Sequence, residues 1–219
     1  MDDGVDGEGT GRRRGRVRAN RSRIIEAAIA EFAANPDASM DDVARAAGVV
    51  RRTVYGHFPN REALVQGIAD EASAALVSLL DGLPDLPDRP DLTTALLALL
   101  SWPVGDRFRV LLTFARRELG EERIRDLLVP ARAPSLAIIE RGQADGVFSR
   151  YLPAPVLVAL SEAIALAMFE EANRGAVTDS GESFAVASLV LLGIAPERAA
   201  AIADEATRWL RESSAASGR

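Results

Sequence analysis

Arg51 and Arg52 stand side by side within Ser39–Phe58, SMDDVARAAGVVRRTVYGHF, with Thr53, Tyr55 and His57 close behind and Asn60 and Arg61 just beyond. A guanidinium presents its N–H donors in a rigid fork that matches O6 and N7 on the edge of guanine, and equally the oxygens of a phosphate. The short or rigid polar groups of Ser39, Thr53, Tyr55, His57 and Asn60, together with Arg61, suit phosphate contacts, which set register without reading sequence. The chemistry this set could do is recognition of duplex DNA. Catalysis finds little support. His57 is the single histidine and cysteine is absent, so no Cys/His or His-x-x-x-His spacing exists to hold a metal, and no thiol nucleophile is available. No metal and no cofactor are expected, and His57 is assigned to packing or to a phosphate.

Two arginines read a groove only when a scaffold holds them outward. Ile25, Ala28, Ile29 and Phe32 fall at helical spacing and form one apolar stripe, which Asn35-Pro36-Asp37 ends. Ser39 then has the type and place of an N-cap, with Asp42 three residues on as its capping-box partner. Met40, Val43, Ala44 and Ala47 repeat at helical spacing until Gly48, so this second helix has about two turns. A third short helix follows over residues 50–57, and Asn60 caps a longer fourth through Leu64, Ile68, Ala72, Leu76 and Leu80. Val49, Val54 and Phe58 are suited to face the scaffold, which leaves Arg51, Arg52 and Tyr55 on the open side. This is the arrangement of a recognition helix entering a major groove.

The charge is distributed to match. The chain of 219 residues carries a net charge of −6, but residues 1–9 hold −4, residues 10–67 hold +5 and residues 68–219 hold −7, every base being arginine. A basic front on an acidic body is the pattern of an anion-binding unit. Residues 1–17 are expected to be a disordered arm, acidic and then basic. Arg12, Arg13, Arg14, Arg16 and Arg18 either add electrostatic attraction for DNA or simply solubilise the tail. There is no secretory pattern, and the apolar run Ala154 to Phe169 is broken by Ser161 and Glu162 short of a bilayer span, so a soluble cytoplasmic protein without membrane contact is expected.

Residues from about Arg21 to Ile68 resemble the DNA-binding domain of the TetR family of bacterial regulators. The matching residues are Ile24-Ile25-Glu26-Ala27-Ala28, Phe32, Asp42-Val43-Ala44, Ala47-Gly48-Val49, Thr53-Val54-Tyr55, His57-Phe58 and Arg61-Glu62-Ala63-Leu64. Val50 stands where that family usually has a hydroxyl residue at the recognition-helix N-cap, and Gly56 lies inside the recognition helix. Gly56 either lets the backbone approach DNA closely or leaves the helix end loose. The resemblance implies an all-α protein with a three-helix helix-turn-helix domain at 18–66 and a larger helical ligand-binding and dimerisation domain at 67–219. It further implies a homodimer on double-stranded operator DNA and release of the operator by a small molecule.

The back of the chain shows no useful β alternation, and its sequence divides into amphipathic segments near 92–101, 106–119, 121–129, 135–142, 154–174, 183–193 and 196–213 after a proline-rich linker at 82–91. Trp102, Phe108, Phe114, Tyr151, Met168 and Phe169 could line a ligand cavity or simply fill the core, with Arg117 among the nearest polar groups to orient a ligand. Segments 154–174 and 183–193 are apolar on most of their circumference and carry small residues such as Ala159, Ala163, Ala167 and Ala187, which suits a four-helix dimer interface.

Overall fold

The computed structural model describes residues 6–83, 85–109 and 118–217, and the fold is all-helical. The described helices are α1 (Asp6–Ala34), α2 (Met40–Ala46), α3 (Arg51–His57), α4 (Arg61–Asp81), α5 (Pro90–Phe108), α6 (Glu121–Asp126), α7 (Val129–Ala144), α8 (Ala154–Asn173), α9 (Glu182–Leu191) and α10 (Pro196–Ser217).

The front core forms as the periodicity requires. Ile24, Ile25, Ala28 and Phe32 of α1, Val43 of α2, Val54 of α3 and Leu64, Val65 and Ile68 of α4 are all essentially inaccessible to solvent. Two short helices cannot bury such a set alone; α1 and α4 supply the surfaces against which α2 and α3 pack. The caps work as read. The Ser39 hydroxyl accepts from the Asp42 amide at 3.2 Å and the Ser39 amide donates to Asp42 Oδ2 at 2.9 Å. Hydrogen bonds from the Ser39 side chain and backbone, then from Arg45, hold the Asp42 carboxyl below its ordinary range. Gly48 turns the chain at φ 64°, where a Cβ is disfavoured, and Asn60 accepts from the Ala63 amide at 2.8 Å.

Two expectations need correction. The arm over residues 1–17 is not unstructured throughout, because α1 begins at Asp6. Adding turns to an existing helix avoids the cost of nucleation, and arginine is a good helix former, which offsets the glycines of this stretch. The expected break between segments 92–101 and 106–119 is also absent, since α5 runs unbroken through Pro103 to Phe108. Gly105 explains the composition there. A Cβ on it would lie 1.9 Å from Phe169 Cζ, so the glycine admits the ring of α8 into α5.

Helix α5 is the axis of the body, packed against α4, α7, α8, α9 and α10. Helix α4 is apolar and long enough to cross a membrane by length and composition, but here it packs against α1, α5 and α7. The start of α5 is fixed by a buried carboxylate. Asp91, 4% exposed, accepts from the Leu92 amide at 2.9 Å and from Arg89 at 3.1 and 3.3 Å, while Arg89 also reaches Glu205 of α10 at 2.7 Å. Burial alone would raise the Asp91 pKa, but hydrogen bonds from Arg89 and Leu92 outweigh it and hold the carboxyl below its ordinary value. Its contribution is therefore present above the ordinary carboxylate range and disappears as pH falls through the depressed value. Asp91→Asn is expected to lose about 2 kcal/mol at pH 7. Urea unfolding at falling pH should show wild type and variant converging in acid.

Candidate nucleic-acid interface

Helix α3 has seven residues and one inward anchor, Val54. With Val54 and Phe58 buried, Arg51, Arg52 and Tyr55 are exposed on the outer side, as the spacing predicts. The two arginines differ in their surroundings. Arg51 pairs with Asp41 at the start of α2, 2.8 Å away, and its guanidinium lies 5.3 Å from the centre of the Tyr55 ring. Arg52 has no hydrogen bond or ion pair with any described residue. Val50, the residue before α3, is 70% exposed and provides no side-chain cap.

The remaining predicted contacts divide by what already occupies them. Thr53 and His57 are half-buried at the edge of the surface. Ser39 and Asn60 are exposed, but their oxygens serve as helix caps. Arg61 is turned inward. It donates from Nε to Glu118 Oε1 at 2.8 Å and from its two terminal nitrogens to the carbonyls of Ala38 and Pro36, and it stacks over the Phe32 ring at 4.1 Å. Its geometry is that of a bracket tying α1, the α1–α2 turn, α4 and the body together. Glu118 is the other end of that bracket. Arg16 and Arg18 are exposed along the N-terminal part of α1.

Gly56 separates two explanations that sequence left open. The helix continues through it to His57, and a Cβ there would meet no atom within 4 Å. Among the described residues nothing requires glycine there. Gly56→Ala is expected to stabilise the free chain by roughly 0.5–1 kcal/mol. If DNA affinity drops while the melting temperature rises, close approach of DNA is the reason for the glycine; unchanged affinity would remove that explanation.

Behind this surface, α4, α5, α7, α8 and α9 line a partly open cavity of about 210 Å³. Its walls include Leu76, Leu80, Phe108, Ile139, Phe169 and Phe184. Of the sequence-predicted ligand residues, Phe108 and Phe169 line it. Trp102 lies one layer back, its ring 4.9 Å from Phe169 and 5.9 Å from Phe184, and Met168 packs on the core outside the lining. Tyr151 is spent on the Leu191 carbonyl at 2.7 Å. Phe114 and Arg117 lie outside the described residues. Arg132 and Glu162 were missed, although they line the cavity and pair with each other at 2.6 and 3.1 Å. A signal for Glu162 existed. The interruption of the apolar run at Ser161-Glu162 marks polar groups in the cavity wall.

The profile of the bacterial regulatory proteins, tetR family, matches residues 24–68, which contain α2, α3 and the Phe32–Arg61 bracket. Over these residues the chain is similar to the DNA-binding domain of the TetR family. Its front is 43% identical over 54 residues to the uncharacterized HTH-type transcriptional regulator TtgW of Pseudomonas putida, a match covering 24% of this chain and 40% of that protein. The chain thus spans less than half the length of the curated relatives it matches. The fold extends the likeness further. The TetR family transcriptional regulator PfmR of Thermus thermophilus superposes with a TM-score of 0.63 at 20% identity, covering 78% of this chain and 97% of that one. RolR in complex with resorcinol superposes at 0.58 and 20% identity, covering 86% and 95%. Within α3, Arg51, Arg52 and Tyr55 are the exposed side chains that could reach DNA.

Proposed function

We propose that this chain is a sequence-specific DNA-binding transcriptional repressor that acts as a homodimer and leaves its operator when a small molecule fills the cavity. The observation that carries the reading is the outward display of Arg51, Arg52 and Tyr55 from a short helix locked by Val54 and Phe58 on a basic front. Two such helices related by a two-fold axis fit successive major grooves about 34 Å apart. Exposed Val156 and Leu160 on α8 and Val190 on α9 support pairing of protomers through these helices, near 154–174 and 183–193.

Helix α4 offers the route from ligand to DNA. Leu64, Val65 and Ile68 belong to the front core, whereas Ala72, Leu76, Leu79 and Leu80 line the cavity. A ligand that displaces the last turns of α4 also moves the surface on which α2 and α3 rest. A cytoplasmic location accords with this role.

The test is fluorescence anisotropy of the full chain with duplex DNA from immediately upstream of its gene and with a random duplex of equal length. Preference for a pseudo-palindrome by at least about 10³-fold at physiological salt is expected. Equal affinity for both duplexes, or a protein that stays monomeric on DNA, would refute the reading.

A further inference from the structure

We propose that the cavity selects a compact, uncharged, largely aromatic molecule bearing a hydroxyl group that donates to Glu162, and that it rejects the corresponding carboxylate. The inference rests on the cavity being the effector site of the proposed repressor, and it adds the chemical class of the effector.

Charge gives the first argument. Among the described residues two arginines, Arg109 and Arg132, line the cavity, and both face acidic partners. Arg132 grips Glu162 with two nitrogens at 2.6 and 3.1 Å. Arg109 faces Asp106 at 2.7 Å without hydrogen-bond alignment and donates to the Asn173 side chain at 2.7 Å. An incoming carboxylate would have to separate Arg132 from Glu162, whose side chain is only 15% exposed. Leaving that carboxylate unpaired beside a second one is strongly unfavourable. A neutral ligand disturbs neither pair.

Hydrogen-bond polarity gives the second. Thr94, Ser101, Ser161 and Ser188 line the cavity, and each already donates its hydroxyl hydrogen to a carbonyl of its own helix, those of Pro90, Ala98, Leu157 and Phe184. What these oxygens can still offer is lone pairs, and the oxygens of Glu162 offer more. Ser135 is the exception, with no such bond among the described residues. Apart from Arg109 Nε and Ser135, the described lining beside the Arg132–Glu162 pair offers acceptors, so a ligand that brings an O–H donor finds partners there. A donor to a carboxylate forms a stronger bond than one to a hydroxyl, which singles out Glu162.

Size gives the third. A dry apolar cavity of about 150 Å³ holds benzene, so about 210 Å³ leaves room for one ring and a short substituent, on the order of ten non-hydrogen atoms. Phe108, Phe169 and Phe184 supply ring surfaces for it.

The experiment is calorimetry on the full chain without DNA at pH 7.5, using 3-phenylpropan-1-ol and 3-phenylpropanoate, which share skeleton and size. The alcohol is expected to bind at least about tenfold more tightly than the acid. In Glu162→Gln, Arg132 loses its carboxylate partner, so the alcohol should weaken about tenfold and the acid should strengthen until the preference reverses. A misfolded variant would lose both ligands and could not gain one, and the wild-type comparison stands without the variant. Equal or tighter binding of the acid to wild type, no heat with either compound up to solubility, or an unchanged preference in Glu162→Gln would each overturn the inference. Alcohol binding that leaves DNA affinity unchanged would instead refute release by ligand while the chemistry of the cavity stands.

Discussion

Arg61→Ala is expected to destabilise the chain by about 3 kcal/mol and to weaken binding to every DNA sequence alike. The guanidinium touches four parts of the molecule that nothing else joins so directly. It covers the Phe32 ring of α1 at 4.1 Å, donates to Pro36 and Ala38 in the turn before α2, begins α4 itself, and reaches Glu118 at 2.8 Å. Its side chain is 25% exposed and that of Glu118 is 14% exposed, so these charge-assisted bonds are sheltered from solvent. Truncation removes donors from two turn carbonyls, uncovers an aromatic ring and leaves a carboxylate without this partner. Arg61→Lys should recover only a fraction, because an ammonium cannot fork across two carbonyls and lie flat on a ring. Urea unfolding separates this account from the one suggested by sequence. If Arg61→Ala were as stable as wild type yet bound DNA poorly, Arg61 would be a phosphate ligand after all and the bracket would be incidental.

Arg61 shows where sequence reasoning stops. The front of the fold was legible because its signals are local: the stripe of Ile25, Ala28 and Phe32, the Ser39–Asp42 capping box, the left-handed turn at Gly48 and the Asn60 cap each depend on residues within a few positions of one another. The same holds for burial of Val54 and Phe58, and so for exposure of Arg51, Arg52 and Tyr55. Side chains with distant partners were not legible. Glu118 is 57 positions from Arg61, and Glu162 is 30 from Arg132, so neither pair leaves a periodic trace. Asp41 sits in the first turn of α2, a place that its type suits locally and that gives no hint of its bond to Arg51. Aromatic residues in the body mark burial without saying which layer they occupy; Phe108 faces the cavity whereas Trp102 backs it. The segments read near 92–101 and 106–119 are one helix as far as Phe108, and the ring of Phe169, seated against Gly105, accounts for the glycine there.

Arg52→Ala is expected to cost more in DNA recognition than Arg51→Ala, although the two residues are neighbours of one type. Arg52 is unengaged among the described residues, so its full hydrogen-bonding capacity is available to a base edge or a phosphate. Arg51 must first give up Asp41 at 2.8 Å and its contact with the Tyr55 ring, and that loss offsets part of what it gains on DNA. A good two-pronged contact to guanine is worth about 1–3 kcal/mol of discrimination, so Arg52→Ala should lower specific affinity roughly tenfold or more while random duplex falls less. Asp41→Asn should act in the opposite direction, since it frees Arg51 and removes a negative charge from the surface that meets phosphates. Anisotropy titrations over a salt series distinguish the roles: loss of a phosphate contact lowers the salt slope by about one and weakens all sequences, whereas loss of a base contact leaves the slope and erodes preference. If both arginine variants weakened specific and random DNA by the same factor, neither residue would be reading bases. The chain's sequence preference would then have to come from DNA shape, read through the phosphates alone.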